Sequence, residues 1–327
     1  MTERLSGAAA ARPAFAYVVP MRDAMRFLPV CLPALLGAAA QAGAEVVLVD
    51  NGSTDGTRAW AAQACGTAAR VIDAPGATIG GARNRGAQAC SADTLVFIDA
   101  DCEVQRDHLA QVAAAFAETG ADAVGAPYET PADPHWVEDV WQRLHAAGDG
   151  PTHHLPAGNL AVSRASFAAV GGFDETLTTG EDAELCQRLR QAGARIERHS
   201  RIQVVHHGNP KSLRAFFAKQ CWHALGMFST TGRGEIDKPV ALMAFHAVLV
   251  VVGLALPFWS SMRSLAGAAL SVAALNAVPV AAVLYRRGRR WRGGPSWLRA
   301  VLLYHVYFAA RLTTAARIFL GKGVQRG

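Results

Sequence analysis

Short apolar runs alternate with helix-forming stretches between residues 14 and 125, and this alternation restricts the chain to a small set of folds. Residues 15–19 read as a strand stopped by Pro20, residues 45–49 as a second ending at Asp50, residues 70–72 as a third and residues 95–98 as a fourth. Residues 27–40, 57–64 and 82–89 between them read as helices. The runs are continuously apolar rather than alternating, which predicts a parallel sheet covered on both faces. Ligands of such sheets bind beyond the carboxyl ends of the strands. Pro20, Asp50 and Asp99 stand at those ends.

Asp99-Ala100-Asp101 closes the fourth run. Strand residues two apart share a face, so both carboxylates leave the sheet edge together. Hard oxygen donors suit Mg2+ or Mn2+, which keep some waters and take substrate phosphates as further ligands. Standing alone, the pair could equally be a helix cap and a solvated carboxylate. Residues 49–57, Val-Asp-Asn-Gly-Ser-Thr-Asp-Gly-Thr, follow the second strand. Here Asp50 can accept hydrogen bonds from a nucleobase or ribose, and Gly52 and Gly56 permit tight turns. An ordinary strand–turn–helix connection has the same composition. Gly80-Gly-Ala-Arg83-Asn-Arg-Gly86 opens a helix whose free N–H groups, with Arg83, suit a diphosphate. It lacks both the lysine ending of a P-loop and the placement of a dinucleotide fingerprint.

Gly180-Glu181-Asp182 precedes a helix read over residues 183–191. Carboxylates there are either dipole-favoured caps or acid–base groups. His206 ends the apolar run 202–205 and is a candidate third ligand for the metal of the paired aspartates. Residues 161–170 read as a helix, and residues 195–205 as one or two strands. The proline-punctuated segment 126–156 reads as an irregular insertion with a short helix at 137–145.

The chain carries 51% hydrophobic residues and a net charge of +6. Its six cysteines contain no Cys-x-x-Cys pair, so a reduced, intracellular domain is expected rather than a disulfide or zinc scaffold. No motif that reads nucleic acid is present, and residues 1–12 lack the apolar core of a secretory signal. Apolar stretches at 239–260 and 264–285 are each long enough to cross a bilayer. Arg286, Arg287, Arg289, Arg290 and Arg292 follow the second, against Arg263 alone in the intervening turn. That asymmetry predicts that the cluster, and with it residues 1–238, lies on the cytoplasmic side of an inner membrane. Residues 297–320 are apolar but carry three arginines, which suits an interfacial helix better than a third span.

In this order, Val18-Val19-Pro20, residues 49–57, Gly81-Ala-Arg-Asn-Arg-Gly86, Asp99-Ala-Asp101, Gly158-Asn159, Gly171-Gly-Phe-Asp174, Gly180-Glu-Asp182 and His206 resemble the family 2 glycosyltransferases. The resemblance spans residues 14–230. It implies an α/β GT-A fold, a Rossmann-like nucleotide-diphospho-sugar transferase domain at 14–232, with nucleotide-binding and acceptor halves meeting near residue 126. A tail at 1–13 precedes it and a C-terminal helical membrane region at 233–327 follows. The implied reaction is metal-dependent, inverting transfer of one sugar from a UDP- or GDP-type donor to an acceptor hydroxyl. The acceptor would be a lipid or lipid-linked glycan of the cell envelope. The implied donor residues are Pro20, Asp50, Ser53, Arg83, Asp99 and Ala100, with Asp101 and His206 on Mg2+ or Mn2+. Asp182 falls on the family's catalytic base. Gly158, Asn159, Glu181 and Trp222 fall on the acceptor side.

Two departures stand out. Met21-Arg22-Asp23 replaces the commoner aromatic-Asn pair after Pro20, and Lys219-Gln220-Cys221-Trp222 lacks the arginine and spacing of processive synthases. Single transfer is therefore expected rather than polymerisation. A nucleotidyltransferase is the rival enzyme, but it needs a glycine-rich basic loop directly after the first strand. A non-catalytic membrane scaffold is the other rival, and it predicts a broken aspartate pair or a lost base. Both are intact.

Overall fold

The computed structural model describes residues 14–230, 238–258, 265–290 and 297–321. The N-terminal tail, the turn at 261–263 and the end of the arginine cluster at 291–292 lie outside the described residues.

In chain order the elements are β1 (Phe15–Met21), α1 (Leu28–Ala42), β2 (Glu45–Asp50), α2 (Thr57–Cys65), β3 (Arg70–Asp73), α3 (Ile79–Ala89), β4 (Thr94–Ile98), β5 (Cys102–Val104), α4 (His108–Thr119) and β6 (Ala123–Gly125). There follow α5 (Trp136–His145), β7 (Gly150–Pro151), β8 (Asn159–Ser163), α6 (Arg164–Ala169), α7 (Glu181–Gln191), β9 (Ile196–Arg198) and β10 (Val204–His206). The last quarter is helical: α8 (Leu213–Thr230), α9 (Lys238–Ala255) with a short 3-10 turn at Leu256–Phe258, α10 (Leu265–Arg290) and α11 (Trp297–Phe319).

Contacts divide the chain into two compact units. The first comprises Met1–Pro127, Asp149–Glu175 and Leu185–Val205. Its eight-stranded sheet has the order β3-β2-β1-β4-β8-β6-β9-β7. The β3 to β4 half is parallel, as the apolar runs predict. Consecutive residues Ala16, Tyr17 and Val18 of β1 and Val47, Leu48 and Val49 of β2 are all completely buried, so both faces of this half are covered.

The structure corrects three expectations here. The sheet is mixed, because β8 runs antiparallel to both β4 and β6. Residues 159–163 form that strand, and the helix begins only at Arg164. Ser163 marks the switch by accepting a hydrogen bond from Ser166 N at 3.1 Å, an N-cap at the centre of what reads as one helix. Finally, Pro20 does not stop β1. It sits in register with Val49, and the strand runs on to Met21 opposite Asp50. Near a strand end its missing N–H forfeits little of the ladder.

The second unit comprises Tyr128–Gly148, Thr176–Glu184 and His206–Gly327. Its core joins Val137, Val140 and Leu144 of α5 to Phe216 of α8, Val278 and Val283 of α10, and Val301, Leu303, Tyr304 and Phe308 of α11. Polar ties fix α8 against α11: Thr314 Oγ1 donates to Cys221 O at 3.2 Å, and Arg311 Nη1 donates to Gln220 Oε1 at 2.9 Å. The segments Val240–Phe258 and Leu265–Arg286 are long and apolar enough to cross a membrane. Only 17% and 28% of them are buried, which leaves faces bearing Phe245, Val248, Val251, Leu270 and Val272 exposed.

In the first unit, α3 approaches β1 and β2 at Gly86. A Cβ there would collide with the buried Val18 Cγ1 and stand 2.9 Å from Val49 Cγ2. Neither valine can swing away in a close-packed interior. Gly86→Ala is therefore expected to lower unfolding stability by about 1–3 kcal/mol, read from the denaturant midpoint. An unchanged midpoint would refute this tight approach.

Candidate functional site

The carboxyl ends of β1, β2 and β4 carry the polar groups of the first unit. Asp50 is 3% exposed, and its Oδ2 accepts from Gly52 N and Ser53 N, both at 3.0 Å. Among the described residues its buried Oδ1 has no hydrogen-bond partner. A buried carboxylate oxygen left unsatisfied is costly, and a ligand N–H or O–H would satisfy it.

The loop after β1 is tied to the loop after β2. Asp23 has a φ of 47°, unusual for a residue with a side chain. Its Oδ1 accepts from Thr54 N at 2.7 Å, while its own N–H donates to Ser53 Oγ at 3.0 Å. Met25 N donates to Asp55 Oδ2 at 3.1 Å and Ala24 N to Thr57 Oγ1 at 2.8 Å. Asp23 was read only as a departure from a motif. In the structure it anchors Ser53 and Thr54.

Arg83 projects from α3 and is 2% exposed. Its Nη2 donates to Asp99 Oδ1 at 2.7 Å, and its guanidinium lies over the Phe173 ring at 5.5 Å. At this burial Arg83 holds Asp99 in place rather than offering an open diphosphate ligand. The helix start is tied down as well. Gly81 N donates to Thr78 Oγ1 at 3.1 Å, and Thr78 Oγ1 donates to Glu175 O at 3.0 Å. Asn84 exchanges two hydrogen bonds with the Phe173 backbone, each 2.9 Å. A Cβ on Gly172 would stand 2.7 Å from Asn84 Oδ1, and its φ is +75°. The Gly80–Gly86 and Gly171–Asp174 motifs thus form one structural joint.

Ala100 is nearly buried and Asp101 half-buried at the tip beyond β4. The next residue, Cys102, is buried, and burial together with Asp101 and Asp99 pushes its thiol well up. The Asp101 carboxylate offers hard oxygen donors, which fit a divalent cation. A separate two-stranded ladder joins β5 to β10, the strand that His206 ends.

Gly158 and Asn159 open β8 and are buried. The Asn159 amide is fully engaged: Nδ2 donates to Ala126 O at 3.2 Å and to Ile202 O at 2.8 Å, while Oδ1 meets His108 Nε2 at 3.1 Å. His108 Nδ1 in turn meets the Tyr17 hydroxyl at 3.0 Å. Asn159 pairs with Ile98, the residue before Asp99. This Tyr17–His108–Asn159 chain braces β4 just before the aspartate pair. Neither Tyr17 nor His108 was legible as a site residue, because each lies in a different element and carries no local motif.

In the second unit, Glu181 is buried and Asp182 half-buried at the start of α7. Asp182 Oδ1 accepts from Ala183 N at 2.7 Å, so the capping role exists alongside any catalytic one. His206 is 5% exposed, its N–H donates to Glu129 O at 3.0 Å, and its ring packs 4.6 Å from Tyr128. Trp222 is half-buried on α8.

Residues 17–164 match the family described as glycosyl transferase family 2, and residues 144–209 match the N-terminal domain of galactosyltransferase. The succinoglycan biosynthesis protein ExoA of Rhizobium meliloti (strain 1021) is 30% identical over 239 residues, covering 64% of this chain and 70% of that protein. The pre-mycofactocin glycosyltransferase of Mycobacterium tuberculosis (strain ATCC 25618 / H37Rv) is 28% identical over 192 residues, 55% of this chain. The match spans only 39% of that relative's length. Among solved structures, the mannosyltransferase PcManGT from Pyrobaculum calidifontis, in complex with GDP-Man and Mn2+, superposes with a TM-score of 0.59 at 18% identity. That match covers 96% of this chain and 89% of the other, and it establishes the GT-A type of the sheet.

The brace has a pH signature. Burial pushes the His108 imidazole down from 6.5 to about 4. Between those values the unfolded chain binds the proton and the folded chain does not, so stability falls as pH drops through the window. The contribution is full above pH 6.5, is lost by pH 4, and is worth about 3 kcal/mol. His108→Gln is expected to flatten the wild-type decline in unfolding free energy over this range. An unaltered slope would remove His108 from the account.

Proposed function

The chain belongs to glycosyl transferase family 2, and from that membership we propose that it moves a single sugar, with inversion, from a nucleotide-sugar to the hydroxyl of a lipid or lipid-linked acceptor at a membrane. Asp50 supports donor binding most directly. Its buried, partnerless Oδ1 lies at the carboxyl end of a parallel strand, where a nucleoside N–H or hydroxyl would complete it. Pro20 and Ser53 shape the loops around it, with Asp23 holding them closed.

Asp99 and Ala100 belong to the donor side, and Arg83 acts by orienting Asp99 through the 2.7 Å ion pair. Asp101 and His206 would hold Mg2+ or Mn2+, a choice consistent with the oxygen and imidazole donors they offer. When bound, such a cation offsets charge on the departing diphosphate.

Asp182 is the proposed base. It accepts the acceptor hydroxyl proton as that oxygen bonds to the anomeric carbon and the bond to the nucleoside diphosphate breaks. One face of the sugar is attacked as the other releases the leaving group, which gives inversion. Glu181, Gly158 and Asn159 belong to the acceptor side, where Asn159 holds the Ala126 and Ile202 backbone, and Trp222 offers it a ring. The exposed apolar helices α9 and α10 support membrane residence, with the arginines at the C-terminal end of α10 on the cytoplasmic side. Succinoglycan biosynthesis in the name of the R. meliloti relative supports a glycoconjugate acceptor, and GDP-Man and Mn2+ in the P. calidifontis neighbour support this donor and metal class.

Incubating membranes that carry the protein with radiolabelled nucleotide-sugars, then extracting with organic solvent, tests the reading; absence of any protein-dependent label in either phase would sink it. Asp101→Asn keeps shape but loses charge, so it is expected to lower transfer at least about a hundredfold and leave the fold intact. Near-normal turnover at unchanged Mn2+ demand would remove Asp101 as a ligand. Asp182→Asn should abolish turnover while donor affinity stays within about threefold. A parallel collapse of donor affinity would place Asp182 in the donor site instead.

A further inference from the structure

One face of α8 is built against the loop that carries the proposed base. A Cβ on Gly226 would stand 2.5 Å from Thr179 O and 3.2 Å from Gly180 N, so helix backbone meets loop backbone there. Helical periodicity sets His223, Trp222 and Lys219 at three, four and seven residues before Gly226, on that same face. They therefore look toward the Gly180-Glu181-Asp182 segment.

The chemistry of this face is unusual for a helix packed in a fold. Lys219 is half-buried, yet among the described residues its ammonium makes no hydrogen bond or ion pair. The rings of Trp222 and His223 meet edge to face at 5.0 Å, and neither makes a side-chain hydrogen bond among the described residues. Arg311 reaches α8 from α11 beside Lys219, donating to the neutral Gln220 Oε1 and lying 3.7 Å from the Tyr307 ring centroid. His223 senses the whole group. Surrounding protein, then Lys219 and Arg311, push its imidazole down to about 4, with Asp182 pulling the other way.

We propose that Lys219, Trp222 and His223, with Arg311, form an acceptor subsite that binds a phosphate group on an amphiphilic acceptor. The proposal rests on the transferase reading above and names its acceptor class. A half-buried ammonium with no ion pair among the described residues suits an anion, and the Arg311 guanidinium, bonded to the neighbouring Gln220, supplies a second cation. Trp222 offers a flat apolar face to an adjoining sugar or chain. The amphiphile follows from the same unit's α9 and α10, whose apolar faces are exposed. Acceptor phosphate held here would place the neighbouring hydroxyl by the base. In the step, the O–C1 bond forms, the C1–diphosphate bond breaks, and the hydroxyl proton goes to Asp182. The subsite itself exchanges no proton.

The test titrates the full chain, in phosphatidylcholine nanodiscs, with decyl phosphate and with decanol. Binding of UDP and GDP with Mn2+ is measured on the same samples. The wild type is expected to prefer the phosphate by about tenfold or more, Lys219→Ala to bring the preference below about threefold, and Lys219→Arg to retain it. Nucleotide affinity should be unaltered in both variants, which also certifies that they fold. Absence of preference in the wild type, or its survival in Lys219→Ala, overturns the proposal. So does displacement of decyl phosphate by inorganic phosphate at equal concentration, since the site would then hold a free anion. Loss of nucleotide affinity in step with phosphate affinity overturns it too, by assigning Lys219 to the donor diphosphate. A wild type that binds decyl phosphate with preference but no nucleotide leaves the subsite standing and strikes the transferase reading.

Discussion

Burial of the β2-β1-β4 strands on both faces is the constraint that organises the first unit. With Ala16 through Val18 and Val47 through Val49 completely buried, a polar group along these strands must be paired inside the fold, as the Tyr17 hydroxyl is with His108. Polarity is displaced to the strand ends. Parallel strands put equivalent ends on one edge, and that edge gathers Asp50, Asp99 and Asp101 from segments far apart in sequence. The arrangement of the donor side is in this sense a consequence of how the core excludes water.

The same edge must then be held still, and the means are mostly polar ties between loops. Asp23, in a conformation unusual for a side-chain-bearing residue, closes the first loop onto the second. Arg83, with almost no access to water, takes its counter-charge from Asp99. Removing Asp99 would take a counter-charge from the buried Arg83, which is why such a pair fixes geometry more than it adds stability. His108 plays the neutral counterpart. Accepting from Tyr17 and donating to Asn159 requires one proton on its ring, and burial keeps it in that state.

The second unit has a different physical basis. Segments 128–148 and 176–184 leave the first unit's chain order to pack with the C-terminal helices. Its core is made of helix faces, with Trp141 set among Phe216, Tyr304 and Tyr307. Glu181 and Asp182 thereby share a compact unit with α8 and α11, the apolar helices included. Gly226 is what lets α8 approach the loop before them. A unit that carries both Asp182 and two exposed apolar helices suits the proposed delivery of an acceptor from the bilayer.

Much of this was legible from residues alone, because the signals are local. Continuous apolar runs gave the parallel strands and the placement of Asp50 and Asp99 at their ends, and the order of short motifs pointed to the family. Run length and composition marked the two apolar helices, for which twenty residues of uniform character suffice. What only the tertiary structure decided depends on partners distant in sequence. The reading of residues 161–163 as helix failed because β4 and β6 flank them and hold them as an antiparallel strand, a pairing no local pattern encodes. Pro20 could join β1 because it lies near that strand's end. Arg83 became an anchor for Asp99, and Asn159 a brace rather than an open ligand, because each is surrounded on all sides. Likewise the membership of α5 in the helical unit rests on its apolar stripe finding α8, α10 and α11. Local propensity and motif order are written into consecutive residues; charge matching, strand pairing and burial are properties of pairs, and the pairs exist only once the chain has folded.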